Sequence, residues 1–233
     1  MTGRRGAACV MAAGAMVVSM ATSEPIAAQG GGAGRVAGVV TLTTSAGAPS
    51  PASAYSRRSV AANARALPEA RSVVVYFADI VALADLKAMR TEVAQRDEQF
   101  VPHVVAVTAG STVEFPNQDL FFHNVFSLSR SATFDLGRYP SGSSRSRLFP
   151  KPGIVKIYCH IHSQMSAVVR VFEHPWFTIP DEGGAFVIDG VPPGEHTLVA
   201  WHERIGERRD RVLIRSGATS NVTFTLPVLE PGS

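Results

Sequence analysis

Between residues 91 and 172 the chain is cut into short β-prone runs, each closed by a glycine, a proline or a polar turn. Runs over 104–107 and 112–115 are joined by Ala109-Gly110-Ser111. Further runs occupy 122–128 and 145–149, and Lys151-Pro152-Gly153 turns the chain into another over 154–158. A last one covers 167–172. Strands at this spacing leave no length for crossover helices, so they fit a sandwich or barrel rather than alternating βα units. The pattern returns near the C-terminus, at 185–188, 196–201, 211–214 and 221–226, separated by Gly183-Gly184, Gly190 and Pro192-Pro193-Gly194. Upstream, 35–43 and 72–78 read as strands, the second a buried type (SVVVYFA). Residues 79–90 are expected to form a short helix with Asp79 as N-cap, and 46–68, rich in Ala, Ser, Pro and Arg, an exposed loop. With 233 residues, 45% of them hydrophobic and 12 of them Phe, the chain has material for one large core or two small ones.

The N-terminus reads as an export signal. Arg4 and Arg5 precede a short apolar core over 7–20, and small residues follow to Ala28. Cleavage is expected near Ala28; the competing reading keeps the segment as an anchor. A Gly-rich leader (30–34) comes next, and no later stretch is long enough for a transmembrane helix. Removal of Cys9 with the signal leaves Cys159 as the one cysteine of an exported, periplasmic or secreted, protein. It then has no internal disulfide partner and needs another explanation: a buried apolar residue, an intermolecular bridge or a metal ligand. The formal net charge is only +3. Its basic residues are scattered, so nucleic acid is not an expected partner. Arg208-Arg209-Asp210-Arg211 reads as a solvated strand edge.

What surrounds Cys159 narrows the choice. Tyr158-Cys159-His160-Ile161-His162-Ser163-Gln164-Met165 puts a thiolate, imidazoles and a thioether on one loop between two expected strands, in the spacing C-x2-H-x2-M. Such a loop wraps three ligands around one ion and leaves a fourth position for another strand. His123, which starts the strand after the polar turn Asn117-Gln118-Asp119, is the natural candidate. Two imidazoles and a thiolate with a weak axial thioether make a blue-copper electron-transfer centre. Asn124, next to His123, is expected to hydrogen-bond near the Cys159 loop and tune it. Taken singly, each residue has a plainer reading: His123 a hydrogen-bonded residue, Met165 core, Cys159 buried and inert. Their joint order favours the metal.

His123-Asn124-Val125 followed by Cys159-x2-His162-x2-Met165 resembles the cupredoxins, and the short final loop is most similar to the amicyanin type. Phe100-Val101-Pro102, the run 107–115 and the strand 153–159 are similar to other strands of that family. The resemblance implies a Greek-key β-sandwich with one type 1 copper, and His162 as the solvent-near ligand through which electrons pass. His160 is set apart. In multicopper oxidases the equivalent Cys is flanked by His on both sides, whereas here Tyr158 precedes it. His160 is therefore read as a surface loop residue. A second copper beside it needs more imidazoles, for which His103, His174, His196 and His202 are candidates by type alone.

The flanks carry a second resemblance. Phe177-x3-Asp181-x2-Gly184-x-Phe186-x-Ile188-x2-Val191-Pro192-x-Gly194-x3-Leu198-x2-Trp201-His202 looks like the second half of a carboxypeptidase-regulatory or transthyretin-like sandwich. Gly34-x-Val36-x-Gly38-x-Val40 and Val73-Val74-Val75-Tyr76 look like its first half. The fold class expected is all-β, a Greek-key cupredoxin sandwich plus a small β-sandwich built from the flanking segments. Its parts are a signal peptide (1–28), a first half-sandwich (29–89), a copper domain (90–173) and a second half-sandwich (174–230). The alternative adds the N-terminal strands to the copper domain and leaves a C-terminal appendage. The function expected is one-electron transfer to redox partner proteins, without catalysis. Arg138, Arg145, Arg147 and Lys151 favour an acidic partner. The alternatives are copper binding without electron transfer, or a copper enzyme with a second metal near His160.

Overall fold

The computed structural model describes residues 32–44, 69–80 and 85–228. The export segment and the 46–68 loop lie outside them. So does the middle of the expected 79–90 helix; its described residues are not helical, and Asp79 accepts the backbone N–H of Thr197 at 2.8 Å. Strands β1 (Gly34–Thr44) and β2 (Val73–Phe77) come first. Ten strands follow: β3 (Arg90–Glu92), β4 (Ala94–Arg96), β5 (Gln99–Val101), β6 (Val104–Thr108), β7 (Ser111–Pro116), β8 (His123–Ser129), β9 (Ala132–Tyr139), β10 (Ser144–Phe149), β11 (Gly153–Tyr158) and β12 (Ser166–Phe172). The last five are β13 (Phe177–Thr178), β14 (Ala185–Val191), β15 (Gly194–His202), β16 (Gly206–Ile214) and β17 (Thr219–Val228). The fold is all-β.

Pairing divides these strands into two groups. β3 to β12 pair among themselves, in sheets ordered β10-β7-β3 and β6-β12-β11-β8-β9, with β4 and β5 as a separate hairpin. Their inward residues, including Val107, Val113, Phe115, Val125, Phe149 and Ile157, form one core. β1 and β2 instead pair with the C-terminal strands, in sheets ordered β14-β1-β17 and β13-β2-β15-β16. Val36, Val75, Leu198, Ile214 and Leu226 belong to the core those sheets enclose.

A third cluster joins the two sandwiches, and strand alternation explains it. Side chains i and i+2 share a face. On β2, Val73, Val75 and Phe77 enter the outer core, while Val74 and Tyr76 face the other way. On β12, Val169 and Val171 enter the first core, while Val168 and Phe172 face out to meet them. Val199 and Trp201 of β15 and Val104 of β6 complete the cluster. Strands buried on both faces read as unbroken apolar runs, as in VVVYF. Arg170, on the same face of β12, is the exception. Its guanidinium lies 4.8 Å from the Tyr76 ring centroid and 4.9 Å from that of Trp201, and it donates to Tyr76 Oη at 2.9 Å. Cation–π contact offsets part of its desolvation.

An ion pair borders this junction. His103 Nδ1 donates to the Ser166 carbonyl and Nε2 to Glu203 Oε2, each at 2.9 Å. Only the imidazolium donates from both nitrogens at once. The Glu203 hydrogen bond, opposed by burial, raises the His103 pKa above its ordinary value. The bond from His103, likewise opposed by burial, lowers that of Glu203. The stabilisation from His103 is fully present below its unfolded value of about 6.5 and is lost as pH rises through the raised folded value. The share from Glu203 is present above its unfolded value and is lost as pH falls through the depressed one. The unfolding temperature of wild type should therefore exceed that of Glu203→Gln most near pH 6, and the gap should shrink by pH 9. An equal gap at both pH values would contradict the pairing.

Candidate metal centre

The site is built from one end of the first sandwich. β7 ends at Pro116, and buried Asn117 shapes the turn that follows. Asn117 Oδ1 accepts the Asp119 N–H at 3.0 Å, and its Nδ2 donates to the carbonyls of Phe121 at 2.8 Å and Tyr139 at 3.2 Å. This is the side-chain mimicry of a backbone turn that Asn performs well. It delivers Asp119 and then His123, the first residue of β8.

Asp119 is anchored from a second direction. The β4–β5 hairpin closes through Asp97 and Glu98, both at φ 55°. Two positive φ values suit a two-residue hairpin turn whose twist matches its strands. The exposed backbone N–H groups of this turn meet the Asp119 carboxylate, Asp97 at 2.7 Å and Glu98 at 3.0 Å. Burial favours the neutral acid, but His123 and these two N–H groups together hold the Asp119 pKa below its ordinary value.

The ionised carboxylate orients His123. Its Oδ2 accepts from His123 Nε2 at 2.7 Å, and the His123 side chain is fully buried. A neutral imidazole that donates from Nε2 keeps its lone pair on Nδ1. His123 Nδ1 faces Cys159 Sγ at 3.9 Å and His162 Nδ1 at 3.1 Å. The three donor atoms lie within 4.8 Å of one another, the only such group of three His, Cys or acidic side chains among the described residues. Ligand atoms about 2.0–2.3 Å from a first-row ion in a trigonal plane stand about 3.5–4 Å apart. The Cys159–His123 separation of 3.9 Å falls in that range and the His162–His123 separation of 3.1 Å just below it. The donor set therefore fits a soft or borderline metal ion.

Cys159 directly follows β11 and is buried and unpaired. Met165, 1% exposed, shares its core, and its N–H closes the loop onto the His162 carbonyl at 3.0 Å. Asn124 Oδ1 accepts the His160 N–H at 3.3 Å. His160 itself stands outside the cluster, with its ring stacked on Phe126 at 3.7 Å and 3°. His162 is half-buried. Phe121 packs on both imidazoles, at centroid distances of 5.1 Å to His123 and 5.4 Å to His162. With Leu120, Phe122 and Ile161, all exposed, it gives this end of the sandwich an apolar rim.

Sequence reasoning placed Asp119 only in a polar turn and passed over Phe121. The one available signal for Asp119 was a carboxylate four residues before His123. The other histidines are engaged elsewhere: His103 with Glu203, and His196 Nε2 with the Pro192 carbonyl at 3.0 Å. His174 is buried, and burial lowers its pKa against an opposing hydrogen bond to Phe77.

No family model matches the chain, and no curated protein matches it. Several solved structures are similar to part of it. A copper-containing nitrite reductase from Thermus scotoductus is 27% identical over 41% of this chain, with a TM-score of 0.35, and the match spans 25% of that protein's length. A purple cupredoxin from Nitrosopumilus maritimus is 20% identical over 35% of this chain and 99% of its own, with a TM-score of 0.33. A reduced amicyanin variant is 22% identical over 36% of this chain and 82% of its own, with a TM-score of 0.34.

Loss of the Asp119 carboxylate should be felt at the donor atoms. Asp119→Ala leaves His123 Nε2 and two N–H groups without an acceptor, and metal affinity is expected to fall about 10- to 100-fold. Competition titration with Co(II) measures it. Unchanged affinity in a folded Asp119→Ala protein would remove Asp119 from the site.

Proposed function

We propose that this chain is an exported blue-copper protein that carries one electron to and from a redox partner, with copper held by His123, Cys159, His162 and Met165. The observation that carries this reading is the convergence of His123 Nδ1, Cys159 Sγ and His162 Nδ1 within 4.8 Å in a largely buried site. A copper ion held there supplies a Cu(II)/Cu(I) couple, which thiolate, thioether and imidazole ligands together serve. The protein's contribution is rigidity and exclusion of water. His123 is fixed by Asp119 at its far nitrogen. Cys159 and His162 sit on a loop tied at both ends, to Asn124 and through the Met165 N–H. Ligands that do not move between oxidation states keep reorganisation small.

The one partly exposed ligand, His162, lies beside the apolar rim of Leu120, Phe121, Phe122 and Ile161. That rim supports docking of a partner's apolar face close to an imidazole edge. Copper binding without electron transfer is the other reading. Closed burial of a single cysteine with two imidazoles argues for the carrier.

The layout belongs to the same proposal. The metal-bearing strands are read as a domain inserted between the halves of a carboxypeptidase-regulatory-like sandwich. Pairing of β1 and β2 with the C-terminal strands supports it.

Addition of Cu(II) to the mature protein should produce an intense thiolate-to-copper band in the visible at one equivalent per chain. Cys159→Ser should lose the band while keeping the fold. A copper-loaded, folded sample with no such band would overturn the blue-copper reading. A second equivalent bound through His160 would favour the enzyme.

A further inference from the structure

The peptide after Cys159 is held by a closed circuit of contacts outside the four proposed ligands. The His160 N–H donates to Asn124 Oδ1 at 3.3 Å, and Asn124 Nδ2 donates to Asp135 Oδ1 at 2.6 Å. The same oxygen accepts the Gly137 N–H at 2.7 Å. The second oxygen of Asp135 stands 3.6 Å from His160 Nε2, and the His160 ring is held flat on Phe126. Backbone irregularity makes this possible. The β8–β9 register shifts between Asn124 and Phe126, and Gly137 takes φ 70°. A bulge of this kind re-aims side chains, and here Asp135 meets the flank of Asn124.

A carboxamide presents an acceptor at one end and a donor at the other, and rotation by half a turn exchanges them. Turned the wrong way, Asn124 would set its NH2 against the His160 N–H. A carboxylate accepts only, so Asp135 admits one orientation of Asn124. Asn124 is buried, while the Asp135 side chain is 54% exposed, so the controlling group sits at the surface.

The geometry points to Asp135 as a positioning residue: acting through Asn124, it fixes the His160 peptide and thereby the thiolate of Cys159. Its redox consequence rests on the copper reading above; its structural consequence does not. The test compares Asp135→Ala, Asp135→Asn and His160→Phe with wild type. In metal-free protein, exchange of the His160 amide hydrogen should quicken about ten-fold in Asp135→Ala, as for loss of one charge-assisted hydrogen bond. Amides of the outer core, such as Val36, should be unaffected. Asp135→Asn keeps an acceptor oxygen and should recover most of the protection. His160→Phe keeps the stack and the backbone N–H and should match wild type. In copper-loaded protein, Asp135→Ala alone should shift the thiolate band and the reduction potential. Unchanged His160 exchange in Asp135→Ala, or equal quickening at Val36, would overturn the assignment. If wild type shows no thiolate band, the copper reading fails and the exchange comparison alone decides the role of Asp135.

Discussion

The hydrogen bond from His123 Nε2 to Asp119 is the constraint on which the site depends. A fully buried imidazole must place its one N–H somewhere, and the choice decides which nitrogen keeps a lone pair. Asp119 takes the proton side and leaves Nδ1 toward Cys159 and His162. The carboxylate stays charged because two backbone N–H groups of the β4–β5 turn and the imidazole satisfy it. A tight turn some 20 residues upstream in sequence is therefore part of the geometry of the proposed site, although it contributes no donor atom to it.

The other proposed ligands depend on strand ends rather than on a charge. Cys159 leaves β11 and Met165 precedes β12, and those two strands pair along their length. The loop between them is closed by the Met165 N–H on the His162 carbonyl and tied to β8 by the His160 N–H on Asn124 Oδ1. β12 then continues into the junction with the outer sandwich, where Val168 and Phe172 pack on β2 and β15. The proposed ligand loop is thus one strand away from the outer sandwich.

Much of the fold was legible because apolar alternation and Gly or Pro turns coincide in most strands. β9 was not: Ala132, Phe134 and Leu136 alternate toward the core, but Gly137 and Arg138 interrupt the pattern before buried Tyr139, and polar residues fill the other face. The β4–β5 hairpin was also hidden, since its turn uses Asp97-Glu98 where glycine or asparagine usually signals one. At the site, Cys159, His162 and Met165 share one short loop, and their residue types declare a chemistry. His123 followed from its type and its place at a strand start. Asp119 and Asp135 did not, because a carboxylate in a turn or on an edge strand is ordinary. Their roles appear only when the backbone brings Asp97, Glu98 and Asn124 to meet them.

The central claim is that one sulfur and two imidazoles, pre-set by this scaffold, share a single copper ion. X-ray absorption at the copper edge of the loaded protein tests it most directly. The account predicts two imidazole nitrogens and one short thiolate sulfur in the inner shell. A shell of nitrogen and oxygen alone would contradict it.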